Sequence, residues 1–128
     1  MKPAADEISL GLGHAAVVTL NGIEPFDLRG SGFQWFSVAG VTDANRARRV
    51  AEALPRVEAM IESECARANA SRERTAVVGF SQGAIIALHL AASLQCPPTA
   101  IVSWAGRIAP GFGAPLSGGK NPVPGGTE

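Results

Sequence analysis

A short β-branched run, Thr75-Ala76-Val77-Val78, enters Gly79-Phe80-Ser81-Gln82-Gly83, and an Ala/Ile/Leu-rich run, Ala84-Ile85-Ile86-Ala87-Leu88-His89-Leu90, leaves it. The first run suits a buried strand, and the second is too long and too uniformly apolar for anything but a buried helix. Between them the chain must turn within a few residues, and the glycines at 79 and 83 bracket that turn. This stretch therefore predicts strand, sharp turn and helix, with any side chain at 79 or 83 expected to collide across the turn.

Gly-x-Ser-x-Gly in that setting is the pattern of a nucleophile elbow, in which a strained turn holds a serine hydroxyl above the edge of a parallel sheet. Ser81 is the candidate nucleophile, Gly79 and Gly83 are the elbow glycines, and the backbone N–H of Gln82 follows. The alternative reading makes Ser81 an ordinary turn residue or helix N-cap, a place serine favours because its oxygen satisfies orphan amides.

The remaining chain supplies the other elements of an α/β unit. Ala15-Ala16-Val17-Val18-Thr19-Leu20 reads as a strand buried on both faces, ended by Asn21-Gly22. Residues 1 to 13 show no element beyond a few helical turns between Glu7 and Leu12. Ile23-Glu24-Pro25-Phe26-Asp27 does not alternate like a returning strand, so 21 to 40 is expected to be a long loop. Within it, Gln34, Trp35 and Phe36, with Phe33 before them, either line an apolar pocket or plug the side of the core.

From an N-cap at Thr42 or Asp43, Val50, Leu54, Val57, Ile61, Cys65 and Ala68 form one helical stripe. Pro55 is expected to kink that helix or divide it near Leu54. Glu58 and Glu62 fall on its solvated face and do not read as a catalytic pair. After the polar turn from Asn69 to Arg74 and the elbow, the second helix runs to about Leu94, where Cys96-Pro97-Pro98 stops it. Ala100 to Trp104 is a third strand, closing at Gly106. Alternation of strands and helices predicts a parallel sheet with right-handed crossovers and a ligand site at the carboxyl ends of the strands. Residues 1–106 form the domain; 107–128, rich in Gly and Pro with few hydrophobes, read as a mobile tail.

Composition excludes several classes. Eleven basic and eleven acidic residues leave no basic surplus for nucleic acid or an anionic membrane. No apolar run is long enough to span a bilayer and the first residues lack a signal-peptide pattern, so a cytoplasmic location is expected. Cys65 and Cys96 have neither paired spacing nor nearby histidines, so neither a metal site, a cofactor nor a disulfide is indicated.

Three features in order, Gln34-Trp35-Phe36 after a strand, the helix with Leu54-Pro55-Arg56-Val57, and Val77-Val78-Gly79-Phe80-Ser81-Gln82-Gly83-Ala84, resemble the phospholipase/carboxylesterase family of α/β hydrolases, which includes bacterial carboxylesterases and acyl-protein thioesterases. The likeness runs from Ala15 to about Gly106. It implies a partial α/β-hydrolase fold, a parallel sheet of about three strands with flanking helices that lacks the first and last strands, the one missing at the front being the strand that lies between the Ala15 strand and the elbow strand in the sheet. It further implies a small-molecule ester or thioester substrate, Ser81 as nucleophile, the Gln82 amide as an oxyanion donor, and substrate contact at Gln34, Trp35 and Phe36.

A serine hydrolase also needs a histidine base and an acid to orient it, following the serine in this fold. After Ser81 the sequence offers His89, Glu128 and no aspartate. His89 lies eight residues along the helix, about 12 Å by helical rise, which suits packing and not proton transfer. His14 precedes the first strand. The family's early His-Gly-rich loop and later His-Gly-x-x-Asp-Pro-like turn have no counterpart beyond a faint echo in 120–126. The expectation is an internal piece of such an enzyme, inactive alone. Two other readings stay open: a non-catalytic module binding acyl or small apolar ligands, and a fragment completed by a dimer partner or complementing chain.

Overall fold

The computed structural model describes residues 2–28, 30–93 and 98–110. Helix α1 (Lys2–Gly11) is followed by a tiny antiparallel ladder of β1 (Glu24–Pro25) and β2 (Phe33–Gln34). Then come α2 (Asp43–Arg67), a 3-10 turn at Arg72–Arg74, β3 (Ala76–Phe80), α3 (Gln82–Ser93) and β4 (Ala100–Trp104).

Strands β3 and β4 pair in parallel from Ala76↔Ala100 to Phe80↔Trp104. α3 is the crossover between them, and it covers one face of the pair, where Val77, Gly79, Ile101 and Ser103 point inward. α2 lies on the outer side of α3. The core forms between the two helices: Val50, Ala53, Leu54 and Val57 of α2 meet Ile86 and Leu90 of α3, with Phe36 wedged in from the loop. α3 is apolar nearly all round because it is sandwiched between sheet and helix, burying Ala84, Ile86, Ala87, Leu88, His89 and Leu90.

Among the described residues, the other face of the sheet is exposed. Val78, Phe80, Val102 and Trp104 all stand exposed on it, Trp104 at 71%. Because a parallel register aligns equal positions, they sit as opposed pairs, Val78 beside Val102 and Phe80 beside Trp104.

A partial α/β-hydrolase architecture is thus present, with two parallel strands among the described residues. Four local expectations change. Ala15–Leu20 joins no ladder, and most of it is exposed, Val18 at 50%. Apolar composition makes a strand buried on both faces only where neighbours exist to flank it, and among the described residues β3 and β4 pair only with each other. The loop between 21 and 40 is pinned by β1 and β2, with Pro25 at the end of a two-residue ladder where its missing N–H is tolerated. α1 begins at Lys2, about one and a half turns before the sequence signals it. α2 continues through Pro55 as one helix, because the residues on either side of it, Leu54 and Val57, are held in the core.

Thr42 caps α2 through a reciprocal pair of bonds: its hydroxyl accepts from Asn45 N–H at 3.2 Å, and its own N–H donates to Asn45 Oδ1 at 2.8 Å. The Asn45 side chain also donates to Gly40 O, fastening the loop to the helix start. The 3-10 turn is tied to α2 by Arg72–Glu62 at 2.8 Å, an exposed pair of small energetic weight that leaves Glu62 on the surface.

Leu90→Ala, which empties a site only 1% exposed, is expected to destabilise the chain by about 2–5 kcal/mol. Leu10→Ala, at a side chain 83% exposed, is expected to change it by less than about 0.5 kcal/mol. Urea unfolding followed by circular dichroism separates the two.

Candidate active site

β3 ends at Phe80 and α3 begins at Gln82, so the whole reversal falls on Ser81, whose φ is +52°. A left-handed serine costs about 1–2 kcal/mol, and the surroundings hold it there. Its N–H donates to Trp104 O at 2.8 Å, extending the β3–β4 ladder, while its carbonyl accepts from Ile85 N–H at 3.1 Å, starting the helix. One residue is therefore the last of the strand pairing and the first of the helical pairing. Its side chain is exposed at the carboxyl end of β3.

The two flanking glycines are not equivalent. A Cβ on Gly79 would lie 2.4 Å from Gly83 O and 2.6 Å from Gly83 C, backbone that cannot yield. A Cβ on Gly83 would meet only Trp35 Nε1 at 3.5 Å, an ordinary contact. The collision expected at both positions thus exists at 79 alone. Two glycines read from the sequence only as strand ends are as tightly constrained. A Cβ at Gly106 would stand 2.4 Å from Ser103 Oγ and 2.7 Å from Ala84 Cβ, and one at Gly22 would stand 2.4 Å from the backbone of Gln34. Gly106 follows Ala105, a second non-glycine residue with positive φ (+57°) at the end of β4. Both strands of the pair thus leave through left-handed residues.

The loop reaches the elbow through Gln82. Its Oε1 accepts from Trp35 N–H at 2.7 Å and its Nε2 donates to Phe36 O at 2.8 Å. Gln34 is 3% exposed and donates to Glu24 Oε1 at 2.8 Å; Phe36, 5% exposed, belongs to the core. Trp35, partly buried between them, has its indole beside Gly83. Further out, Asp27 accepts from the Ser37 hydroxyl, which holds its carboxyl below the usual range, and Arg49 donates to Ser37 O at 2.8 Å and Ala39 O at 2.6 Å.

His89 is fully buried on α3 with both ring nitrogens engaged: Nδ1 donates to Ile85 O at 2.6 Å, and Nε2 accepts from Ala109 N–H at 3.0 Å. It is a packing histidine and fastens the segment after β4, so ordered structure continues past Gly106 to Ala109, itself buried. His14 is exposed just beyond α1. Residues 111–128, which hold most of the expected tail, and Cys96 lie outside the described residues. An open groove of about 430 Å³ lies against α2, lined by Gly22, Ile23, Arg56 and Met60 among others and by none of the candidate site residues. Among the described residues there is no group of three or more His, Cys, Asp or Glu arranged for a metal, and no helix long and apolar enough to cross a membrane.

The family model described as phospholipase/carboxylesterase matches residues 4–117. The chain belongs to the phospholipase/carboxylesterase family. It is 35% identical over 98 residues to esterase YpfH of Escherichia coli (strain K12), a match covering 74% of this chain and 40% of that esterase. The chain therefore spans well under half the length of this curated relative. Within the family match lie β3, Ser81 and α3, while the segment 15–20 stands apart from the sheet.

Residues missed in the sequence share one property: they act by contact and not by pattern. Gly22 and Gly106 admit a neighbouring backbone or side chain, and the Gln82 side chain bonds residues 46 and 47 positions away.

Two outcomes follow. Gly79→Ala is expected to destabilise by about 1–3 kcal/mol or more through overpacking, while Gly83→Ala stays within about 1 kcal/mol of the parent, both read from urea midpoints. Burial holds His89 below its ordinary 6.5, and Nε2 must stay unprotonated to accept from Ala109. The unfolded chain takes up that proton first, so stability is full above about 6.5 and falls as the pH drops below it, by at most about 1.4 kcal/mol per pH unit. Thermal melts between pH 7.5 and 5 are expected to show this decline, flattened in His89→Gln.

Proposed function

We propose that this chain is the nucleophile-bearing part of a serine hydrolase that cleaves carboxylic ester or thioester bonds of small acyl substrates. The observation that carries the reading is the exposed, left-handed Ser81 joining β3 to α3. A serine confined to positive φ is a standing cost, and such strain concentrates where a side chain must be presented to a ligand. Membership of a carboxylesterase family and likeness to an esterase support the same chemistry.

In this reading the Ser81 hydroxyl attacks the acyl carbon, and the backbone N–H of Gln82 faces the oxyanion that develops. Trp35, fixed between buried Gln34 and Phe36, forms the apolar wall against which the acyl group rests. The attack needs a base to take the hydroxyl proton. The two histidines of the sequence do not serve: both His89 ring nitrogens are engaged in packing, and His14 sits at the end of α1. The base therefore comes from outside these 128 residues, and the chain alone turns over ester poorly. Its proposed setting is cytoplasmic, with no cofactor.

A complementing chain, or a dimer partner, is the second reading that an observation favours: the sheet face carrying Val78, Phe80, Val102 and Trp104 is uncovered, whereas parallel sheets are ordinarily covered on both faces. A purely ligand-binding role leaves the strain at Ser81 without a use.

Hydrolysis of p-nitrophenyl butyrate by the chain alone is expected to stay within about a hundredfold of the buffer rate, since residual oxyanion stabilisation of about 10³–10⁴ is cut by about 10²–10³ when a donor is absent. Efficient turnover abolished by Ser81→Ala would show that the chain is self-sufficient. With the chain alone a fluorophosphonate probe is expected to label Ser81 no faster than other exposed serines, and to label it selectively once a complementing chain supplies the base, read by peptide mass spectrometry. Labelling of other serines with Ser81 unmodified in that complemented state would remove the hydrolase reading.

A further inference from the structure

Gln82 touches the loop through its side chain and faces the reaction centre through its backbone, and these two roles are separable. The primary amide meets one donor and one acceptor on adjacent residues, Trp35 N–H at 2.7 Å and Phe36 O at 2.8 Å. Its orientation is fixed by these partners, because an N–H must be met by oxygen and a carbonyl by the NH₂ group. Of the side chains of this length, glutamate lacks the donor, methionine lacks both groups, and lysine lacks the acceptor. Asparagine is one carbon shorter.

The position of these bonds matters more than their number. Phe36 is locked in the core by Val50, Leu54 and Leu90, and Gln34 is held by Glu24, so the segment is anchored on both sides of Trp35. The peptide groups at Trp35 and Phe36 are the ones that reach the elbow, and Gln82 secures both. Trp35 N–H is thereby occupied, so it does not serve as an oxyanion donor. Its indole is left beside Gly83, one residue past the proposed oxyanion amide.

We propose that the Gln82 side chain is a positioning residue: a two-bond clamp that sets the Trp35 wall against the elbow, so that one residue fixes both the oxyanion-facing amide and the apolar surface next to it. The catalytic half of this statement rests on the reading of Ser81 as nucleophile. The clamp itself does not.

The test replaces the amide with a group whose donor can be switched. In a Trp104→Phe background Trp35 is the one remaining tryptophan of two and reports on its own exposure. In Gln82→Glu at pH 7.5 the carboxylate still accepts from Trp35 N–H but repels Phe36 O. At pH 4.5, close to the ordinary glutamate pKa of about 4.3, a large share of the acid is protonated and regains the donor. The expected result is acrylamide quenching of Trp35, taken relative to the parent at the same pH, at least twofold higher at pH 7.5 and falling at least halfway back at pH 4.5. Quenching equal to the parent at both pH values, or raised equally at both with the fold intact by circular dichroism, overturns the clamp. A loss of packing that is merely structural would not reverse on acidification.

Should the variant not fold, amide hydrogen exchange on the unaltered chain decides. Trp35 N–H is expected to exchange at least a hundredfold more slowly than an unstructured amide, and exchange at the unstructured rate overturns the proposal. Because neither readout involves ester cleavage, the clamp can stand if Ser81 proves unreactive. Conversely, a reactive Ser81 with an unclamped loop would remove the clamp and leave the hydrolase reading in place.

Discussion

Everything in this molecule is arranged around the near-contact of two backbones, the end of β3 and the start of α3. Gly79 lies so close to Gly83 that no side-chain carbon fits between them, and that proximity leaves a single residue to reverse the chain. Ser81 makes the reversal at φ +52°, holding Trp104 O with its N–H and Ile85 N–H with its carbonyl. The strain is local, about 1–2 kcal/mol, and is offset by the strand pair on one side and the buried helix on the other. Remove the close approach and the serine relaxes into an ordinary loop, with its hydroxyl aimed nowhere in particular.

From this contact the structure extends by layers. The crossover helix buries its inner side on β3 and β4 and its outer side on α2, and Phe36 enters that second interface from the loop. The loop is consequently not free to drift from the elbow. It is fixed in the core by an aromatic ring, to β1 by Gln34, and to the turn by Gln82. His89 plays the matching part on the opposite side, where a neutral ring buried in α3 secures the residues that follow β4. The elbow therefore has a fastened segment on either flank, one reached through a glutamine and one through a histidine.

The parts legible in the sequence are those whose causes are local. The strand, turn and helix from Ala76 to Ser93 follow from β-branched, glycine and alanine/leucine runs in succession, and the Thr42 cap follows from a short polar residue before an amphipathic stripe. What escaped reading depends on partners far away in the chain. Ala15–Leu20 has the composition of an inner strand, but composition cannot create the neighbours that would bury it. Pro55 looked like a break because its effect on an isolated helix is large; the core contacts of Leu54 and Val57 carry α2 through it. Gly83 looked indispensable by analogy with Gly79, yet the second glycine faces an indole nitrogen at van der Waals distance and not a peptide. In the site, the serine could be read from its motif, whereas the glutamine's side-chain role required knowing that the loop returns to it.

The uncovered side of the β3–β4 pair gives the molecule a second character. With Val78, Phe80, Val102 and Trp104 turned to water on one side and helices on the other, the chain is an amphiphile on the scale of a whole domain. Hydration of those four side chains is unfavourable at every moment the face stays wet, so air–water boundaries, plastic walls and hydrophobic resins all compete for it.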